Sequence, residues 1–191
     1  MPDTPTTPAE LAIVLAHALA KAGIPYAVGG AVAYGFWGAA RGTQDLDLNV
    51  FLAAEQAEPA IEVLRQAGVR LDPHEALDSA RVRGDARGFF GDMPVDVFFL
   101  SIPLHRSAAA RTVAVTMLGR PLQILSAEDI VVLKLLFFRG KDLVDVERVL
   151  AVQGRLLDRT YIRRWLVDCV GEEDSRVLKW DRLCRDLPAR D

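Results

Sequence analysis

The sequence contains few of the residues that cross-link small folds or hold transition metals. Its 191 residues include two cysteines and three histidines, with no CxxC pair and no Cys/His cluster. Neither a disulfide-stapled scaffold nor a zinc-type site is therefore expected to organise the fold. A chain of this length can bury a full core without such cross-links. We expect Cys169 and Cys184 to be buried thiols, with a lone disulfide as the alternative.

Long hydrophobic runs are missing as well. No stretch of about 18 uncharged apolar residues occurs, so no membrane-spanning helix is expected. The first residues lack the basic region of a signal peptide, and the apolar stretch 11–20 is interrupted by His17. These features favour a cytoplasmic protein without a membrane partner.

Several motifs with well-defined chemistry are also absent. The chain has no GxGxxG or GxxxxGK[ST] nucleotide loop, no GxSxG nucleophile turn and no HExxH zinc motif. Its formal charge of −3 excludes a protein that coats nucleic acid by bulk positive charge, although it is compatible with a local basic pocket. What is present is an ordinary globular composition, 51% hydrophobic and 26% charged. The length then favours one domain, or one domain with a small appendage.

Hydrophobic periodicity divides the chain into a strand-rich part and a helical part. A Thr cap at Thr7, followed by Pro8 and Glu10, predicts the start of the first helix. Further helices are predicted over 31–37, over 57–67 and throughout the chain from 126 onward, and strands over 24–28, 45–51, 87–90, 94–100, 112–118 and 122–125. The stretches between them are less regular. We therefore predict an α/β (α+β) fold, with one domain over 1–125 and a helical C-terminal region over 126–191 packed on it.

Two aspartates stand out in the strand predicted over 45–51. Residues two apart on a strand face the same side, so Asp45 and Asp47 project together, about 7 Å apart at the backbone. Leu46 and Leu48 point the other way, into a core. Neighbouring carboxylates repel each other, and a hard divalent cation with oxygen ligands, typically Mg²⁺, is the usual remedy. The plainer interpretation is that both aspartates line a solvated strand face.

A third aspartate lies on another strand. Asp96 interrupts the apolar strand predicted over 94–100, where an unpaired charge is costly and needs a partner or a metal. If this strand neighbours the first one, three carboxylates converge as the ligand set of a two-metal phosphoryl or nucleotidyl transfer site. Otherwise Asp96 points to water, with Arg81, Arg83 and Arg87 available as partners.

A glycine pair, Gly29-Gly30, follows a predicted strand and precedes a predicted helix. Glycines there let the backbone approach a ligand, and the helix N-terminus offers free N–H groups to a phosphate. A plain turn is the alternative. The position of the pair, upstream of the Asp45-Leu46-Asp47 strand, favours the functional interpretation.

These features together resemble the DNA polymerase β-like nucleotidyltransferase superfamily in its small bacterial form. Gly29-Gly30, Asp45-Leu46-Asp47 and Asp96 match the family pattern in order and spacing. The lead-in Arg41-x-Thr43-x-Asp45 is similar above all to abortive-infection type toxins and related uncharacterised proteins. Many members carry Ser as the second residue of the turn, where this chain has glycine.

The resemblance extends into the helical part of the chain. The segment 125–129 followed by Lys134 looks like the family's helical lysine. The segment that contains Lys141, Asp142 and Asp145 looks like its Lys-Asp-x-x-Asp stretch. The combined motif implies a nucleotidyltransferase fold, with a small mixed β-sheet flanked by helices and a helical C-terminal region.

The resemblance also implies roles for the carboxylates. Asp45 and Asp47 would hold two Mg²⁺ ions, with Mn²⁺ as a substitute, that clamp a nucleoside triphosphate. Asp96 would join the second metal and act as general base toward the acceptor hydroxyl. The product would be a nucleotidylated acceptor, with release of pyrophosphate.

Nucleotide contacts are implied for a second group of residues: Gly29, Gly30, Arg41, Thr43, Lys134 and Lys141. Four of them have structural alternatives. Arg41 could pair with a local acid, and Thr43 could be a simple β-branched lead-in. Lys134 sits in an apolar helix and could reach a carboxylate or extend its head to water. Lys141 could belong to the first turn of the next helix.

The sequence leaves several classes of acceptor and partner open. An RNA or tRNA end in a toxin-like role, with an antitoxin protein as partner, is favoured by the Arg41-x-Thr43-x-Asp45 lead-in. An aminoglycoside or lincosamide antibiotic and a protein hydroxyl are the other acceptors. A non-catalytic nucleotide-binding or interaction protein of the same fold is the competing class. The oligomeric state is not predicted.

Overall fold

All the strands of this computed structural model, which describes residues 4–187, belong to one sheet. Each strand is a short stretch of alternating or continuous apolar residues between turn residues. The six strands are β1 Tyr26–Val28, β2 Leu46–Ala53, β3 Asp85–Phe90, β4 Met93–Leu100, β5 Val113–Met117 and β6 Arg120–Ile124. Every strand predicted from the sequence is present, with shifts of one or two residues at its ends.

Helices lie before, between and after the strands in the sequence. After residue 126 the described chain contains helices, with short loops between them, and no strand. They are α1 Pro8–Lys21, α2 Gly30–Trp37, α3 Glu58–Gln66, α4 Pro73–Arg83, α5 Pro103–Ala109, α6 Ala127–Phe137, α7 Gly140–Gln153, α8 Arg159–Val170 and α9 Ser175–Asp186. Two short 3₁₀ turns, Ala54–Gln56 and Gly154–Leu156, precede α3 and follow α7. In the part of the chain that the structure describes, no helix is long and apolar enough to cross a membrane.

The sheet is mixed, with the strand order β3-β4-β2-β1-β6-β5. β2 pairs in parallel with β4 and antiparallel with β1, while β1 pairs in parallel with β6. The two outer pairs, β3 with β4 and β5 with β6, are hairpins. This arrangement confirms the predicted fold class and places the strands of Asp47 and Asp96 side by side.

Two compact units make up the chain. The first, 1–32 together with 42–125, holds the whole sheet and the helices α1, α3, α4 and α5. Its core includes the fully buried Leu11, Leu15 and Leu19 of α1, and burial of each leucine contributes about 1.5–3 kcal/mol. The second unit, 33–41 together with 126–191, holds α6 to α9 and most of α2. The segment 33–41 is thus grouped with the C-terminal helices. The domain prediction of 1–125 and 126–191 places this segment in the first domain.

Two helices of the first unit have no counterpart in the sequence prediction. α4 is capped by Asp72, whose side chain accepts a hydrogen bond from the Glu75 N–H, and it has Pro73 in its first turn. Only Ala76 and Ala80 of α4 are buried, so its apolar periodicity is faint. α5 is a helix of seven residues, short for a periodic signal.

The structure corrects the prediction that both cysteines are buried. Both thiols are free, Cys184 is partly exposed and Cys169 is exposed. Cys169 lies in the last turn of α8, beyond the buried residues Tyr161, Ile162 and Leu166, so it extends past the part of the helix that packs into the core.

Candidate functional site

A row of four residues crosses the sheet on one face and includes two of the three predicted carboxylates. Arg87 on β3 is the register partner of Asp96 on β4, and Asp96 is the partner of Asp47 on β2. The row continues to Gly29, which follows β1 and donates its N–H to the Asp47 carbonyl oxygen at 2.9 Å. We call Arg87, Asp96, Asp47 and Gly29 the transverse row.

Alternation along β2 and β4 explains why the two carboxylates share a face. Leu46 and Leu48 are fully buried and pair with Val95 and Val97 on the core side. Asp47, half-buried between the two leucines, therefore points to the opposite face, as does its partner Asp96. Adjacent strands lie about 4.8 Å apart, so the two carboxylates are close neighbours.

Gly30 allows the chain to turn directly against Asp47. Its φ is +53°, in the left-handed region that glycine adopts without strain. A Cβ at this position would come within 2.8 Å of Asp47 Cβ and would overlap the carboxylate. A Cβ at Gly29 would come within 2.6 Å of Asn49 Nδ2. Glycine is required at Gly30, whereas a side chain at Gly29 would have to displace the Asn49 amide.

Replacing Gly30 with alanine is expected to displace Asp47 and strain the turn. We expect G30A to lower the free energy of unfolding by about 2 kcal/mol, measured by urea denaturation, because a residue with a Cβ is strained at positive φ. Any catalytic activity that depends on Asp47 should fall about 100-fold, because displacing such a side chain by about 1 Å is this costly. A Cβ added at Gly140 would have no neighbour within 4 Å, so G140A is the matched control and should leave both quantities unchanged. Unchanged stability and activity in G30A would contradict the close approach to Asp47.

Asp45 lies one residue before β2 and is held from its own segment. The hydroxyl of Thr43 donates a hydrogen bond to Asp45 Oδ1. This bond orients the Asp45 carboxylate. The predicted nucleotide contact of Thr43 stays a prediction.

Asp96 is paired with an arginine in the transverse row. Arg87 Nε lies 2.5 Å from Asp96 Oδ1, and Arg87 Nη2 lies 2.8 Å from Oδ2. The hydrogen bond to Asp96 and the charge of Asp96 raise the pKa of Arg87, with smaller contributions from the charges of Asp45 and Asp85. The arginine alternative for Asp96 is thus realised, on the residue directly opposite it in the sheet.

The donor chemistry of the three aspartates suits a hard divalent cation. Asp47 and Asp96 present carboxylate oxygens side by side, and Asp45 lies two residues upstream of Asp47. Among residues 4–187, however, no three His, Cys, Asp or Glu side chains are grouped closely enough to hold a metal ion. The bidentate bridge from Arg87 engages both oxygens of Asp96 in this arrangement. The residues fit a metal by donor type, and the three-carboxylate site stays a prediction.

The second unit carries its own buried charge cluster, centred on Asp145 of α7. The Asp145 carboxylate, 2% exposed, accepts hydrogen bonds from Lys134 Nζ at 2.7 Å and from Arg41 Nη2 at 3.0 Å. Lys134 Nζ and Arg41 Cζ lie 5.0 and 5.8 Å from the ring centre of the buried Tyr34. Burial alone would raise the pKa of Asp145, but the hydrogen bonds from Arg41 and Lys134 and their charges lower it overall. The carboxylate partners foreseen for Arg41 and Lys134 are therefore the same residue.

The remaining residues of the Lys-Asp-x-x-Asp stretch lie at the start of α7. Asp142 is buried and accepts hydrogen bonds from the Arg139 backbone N–H at 3.2 Å and from Arg139 Nε at 2.6 Å. Lys141 is exposed in the first turn of the helix. The nucleotide contacts of Lys141, Lys134 and Arg41 stay predictions.

Two residues near the predicted sites were not predicted from the sequence. Asn49, 6% exposed, is packed against Gly29 on the same face as Asp47. The alternation Asp45, Asp47, Asn49 carried that signal. Tyr34 lies under the cations of the second unit, and no local pattern marked it.

Comparison with known proteins identifies the fold. No protein-family model matches the sequence, and no curated protein is significantly similar to it. The crystal structure of ANT(2″)-Ia in complex with adenylyl-2″-tobramycin matches with a TM-score of 0.61 and 14% identity, covering 84% of this chain and 97% of that one. The solution structure of the antibiotic-resistance factor ANT(2″)-Ia matches with a TM-score of 0.57 and 14% identity, covering 82% and 92%. An antigenic nucleotidyltransferase-like protein from Paracoccidioides brasiliensis matches with a TM-score of 0.52 and 14% identity, covering 94% and 95%. The chain has the nucleotidyltransferase fold, and at this identity the likeness is one of fold alone.

Proposed function

We propose that this protein is a divalent-metal-dependent nucleotidyltransferase. It would move a nucleoside monophosphate from a nucleoside triphosphate to an acceptor hydroxyl and release pyrophosphate. The observation that carries the proposal is the placement of Asp47 and Asp96 as direct partners on β2 and β4, with the Gly29-Gly30 turn packed against Asp47. The nucleotidyltransferase fold supports it.

Each carboxylate has a defined task in this proposal. Asp45 and Asp47 would hold Mg²⁺, or Mn²⁺, and Asp96 would join them at a second ion. Bound there, the ions would offset the charge of the triphosphate and polarise the α-phosphate. Asp96 would take the proton of the acceptor hydroxyl. The oxygen of that hydroxyl would then bond to the α-phosphorus while the bond to pyrophosphate breaks.

The backbone and the nearby cations would serve the nucleotide. The N–H groups of Gly29 and Gly30 are placed at the start of α2, where a phosphate is favoured. Thr43 would support Asp45 through its hydrogen bond. Nucleotide contacts by Arg41, Lys134 and Lys141 complete the proposal; for Arg41 and Lys134 they would replace an existing bond to Asp145.

Two acceptor classes have separate support. The lead-in Arg41-x-Thr43-x-Asp45 favours an RNA or tRNA end in a toxin-like role, with an antitoxin as the protein partner. The fold match to ANT(2″)-Ia bound to adenylyl-2″-tobramycin favours a small-molecule acceptor such as an aminoglycoside. A lincosamide is a further small-molecule acceptor for the same assay. A protein hydroxyl is the third class for the same assay.

Label transfer tests the function and sorts the acceptors. The protein is incubated with each α-labelled nucleoside triphosphate, Mg²⁺ or Mn²⁺, and panels of tRNA, aminoglycosides, lincosamides and proteins. We expect one panel to become labelled with release of pyrophosphate, and labelling to stop with EDTA. The control is the double variant D45A/D47A. Binding of the triphosphate that needs no metal and survives in D45A/D47A, without transfer to any panel, would identify a non-catalytic binding protein instead.

A further inference from the structure

The salt bridge in the transverse row places a cation where the proposed metal ligands meet. Asp47 and Asp96 are direct register partners, and like charges directly opposite each other in a sheet destabilise it. Arg87 supplies a positive charge to Asp96 from the next strand, with one nitrogen on each oxygen of the carboxylate. Such a fork geometry is the strongest form of an arginine–carboxylate pair.

Arg87 is also able to leave this position. Its side chain is 62% exposed, whereas that of Asp96 is 17% exposed. A long, largely solvated side chain can exchange its partner for water, and its exposure to solvent keeps the cost modest even for a bidentate pair. Because strand β4 holds Asp96 in place, a change of partner at its carboxylate requires the Arg87 side chain to move.

We propose that Arg87 is a resident counter-ion that competes with the divalent cation for Asp96. The inference rests on the proposed function, since it takes Asp47 and Asp96 as metal ligands. Without metal, the Arg87 guanidinium neutralises Asp96 and keeps the two carboxylates compatible on adjacent strands. When the metal binds, the bond to Asp96 is given up, so the salt bridge lowers the affinity for the metal. Arg87 is thus a positioning residue that acts through Asp96.

Mn²⁺ binding without nucleotide tests this competition. Free Mn²⁺ is followed by electron paramagnetic resonance in titrations of the full-length protein and of R87Q. We expect R87Q to bind Mn²⁺ about three- to fivefold more tightly, because the metal no longer has to break the bidentate salt bridge between Arg87 and Asp96. R87K should stay nearer the wild type, because it keeps the competing charge.

Arg83 provides the matched control. Its side chain is 63% exposed, nearly the same as that of Arg87, and it forms a salt bridge through one nitrogen with Asp85 at 3.0 Å. R83Q removes the same charge from the same part of the chain but leaves Asp96 paired. We expect its Mn²⁺ affinity to stay within about twofold of the wild type.

A second readout is thermal stability. Without metal, R87Q should melt at a lower temperature than the wild type, since the carboxylates of Asp47 and Asp96 lose a counter-charge. Added Mg²⁺ should then raise its melting temperature by more than it raises that of the wild type.

The outcomes separate the inference from the proposed function. Equal Mn²⁺ affinities of R87Q and the wild type would overturn the role of Arg87 and leave metal binding intact. Equal affinities of R87K and R87Q would also overturn it, because the charge would then not be what competes. Absence of Mn²⁺ binding by both proteins, with and without a nucleoside triphosphate, would overturn both.

Discussion

Asp47→Asn is expected to abolish the proposed nucleotidyl transfer, with a loss of at least about 1,000-fold in kcat/KM, because the proposed function makes Asp47 a charged metal ligand. Asn keeps the size of the side chain, so the contact with Gly30 is preserved and folding should be unaffected. Mn²⁺ binding should be lost together with transfer. The rate is measured with the α-labelled triphosphate and the acceptor found in the panels.

Asp96→Asn separates the two tasks assigned to the carboxylates. Loss of the general base should lower transfer by about 100- to 10,000-fold, while triphosphate binding through Asp45 and Asp47 persists. Asp78→Asn is the matched control, because Asp78 is an acid on α4 whose side chain is 77% exposed. Its transfer rate should equal that of the wild type. For Asp47, transfer by D47N within tenfold of the wild type would contradict its role as a metal ligand. Such a result would mean that the substitution raises the activation free energy by less than about 1.4 kcal/mol.

Asp145→Asn is expected to have the largest effect on stability. Asp145 neutralises Lys134 and Arg41 in the second unit, and its side chain is 2% exposed. Removing one partner of a buried ion pair costs about 3–5 kcal/mol. Lys134 would keep its longer contact with Asp142, at 3.8 Å, so we expect a loss near the lower end of this range. The three tryptophans, Trp37, Trp165 and Trp180, all lie in this unit, so tryptophan fluorescence during urea unfolding measures its stability directly.

The control for Asp145 lies two residues away on the same helix. Glu147 pairs with Lys179 at 3.6 Å, and its side chain is 45% exposed. E147Q should change the free energy of unfolding by less than about 0.5 kcal/mol, as expected for an exposed pair. Equal losses in D145N and E147Q would contradict a buried charge cluster.

The stabilisation by Asp145 should also depend on pH in a defined direction. The folded pKa of Asp145 is lowered from its usual 3.8, so the carboxylate stabilises the fold while it is ionised. This contribution is complete above the unfolded pKa and is lost as the pH falls through the folded pKa. The difference in unfolding free energy between the wild type and D145N should therefore be constant from about pH 7 to pH 5 and shrink below about pH 4. A difference that shrinks between neutral pH and pH 5 would point to another group.

Local patterns in the sequence predicted the parts of the site that depend on neighbours along the chain. The alternation around Asp45 and Asp47 has the period of a strand, so it placed both leucines in the core and Asp47 on the opposite face. The cap at Thr7 predicted the start of α1, because capping involves residues only three apart. α4 was missed because its buried side chains, Ala76 and Ala80, are too small for a clear periodic signal.

Only the tertiary structure decided which distant residues meet. By itself, the sequence determined that three aspartates and a glycine pair lie on strands and turns. The parallel pairing of β2 with β4 sets Asp47 beside Asp96, and the register of β3 sets Arg87 opposite Asp96. The register of the β3–β4 hairpin follows from its short turn. β2 and β4, however, are separated in the sequence by two helices and strand β3, and no local pattern encodes which distant strands pair. For the same reason Lys134 had a predicted need for a partner, while its choice of Asp145 on the next helix depended on packing in the second unit.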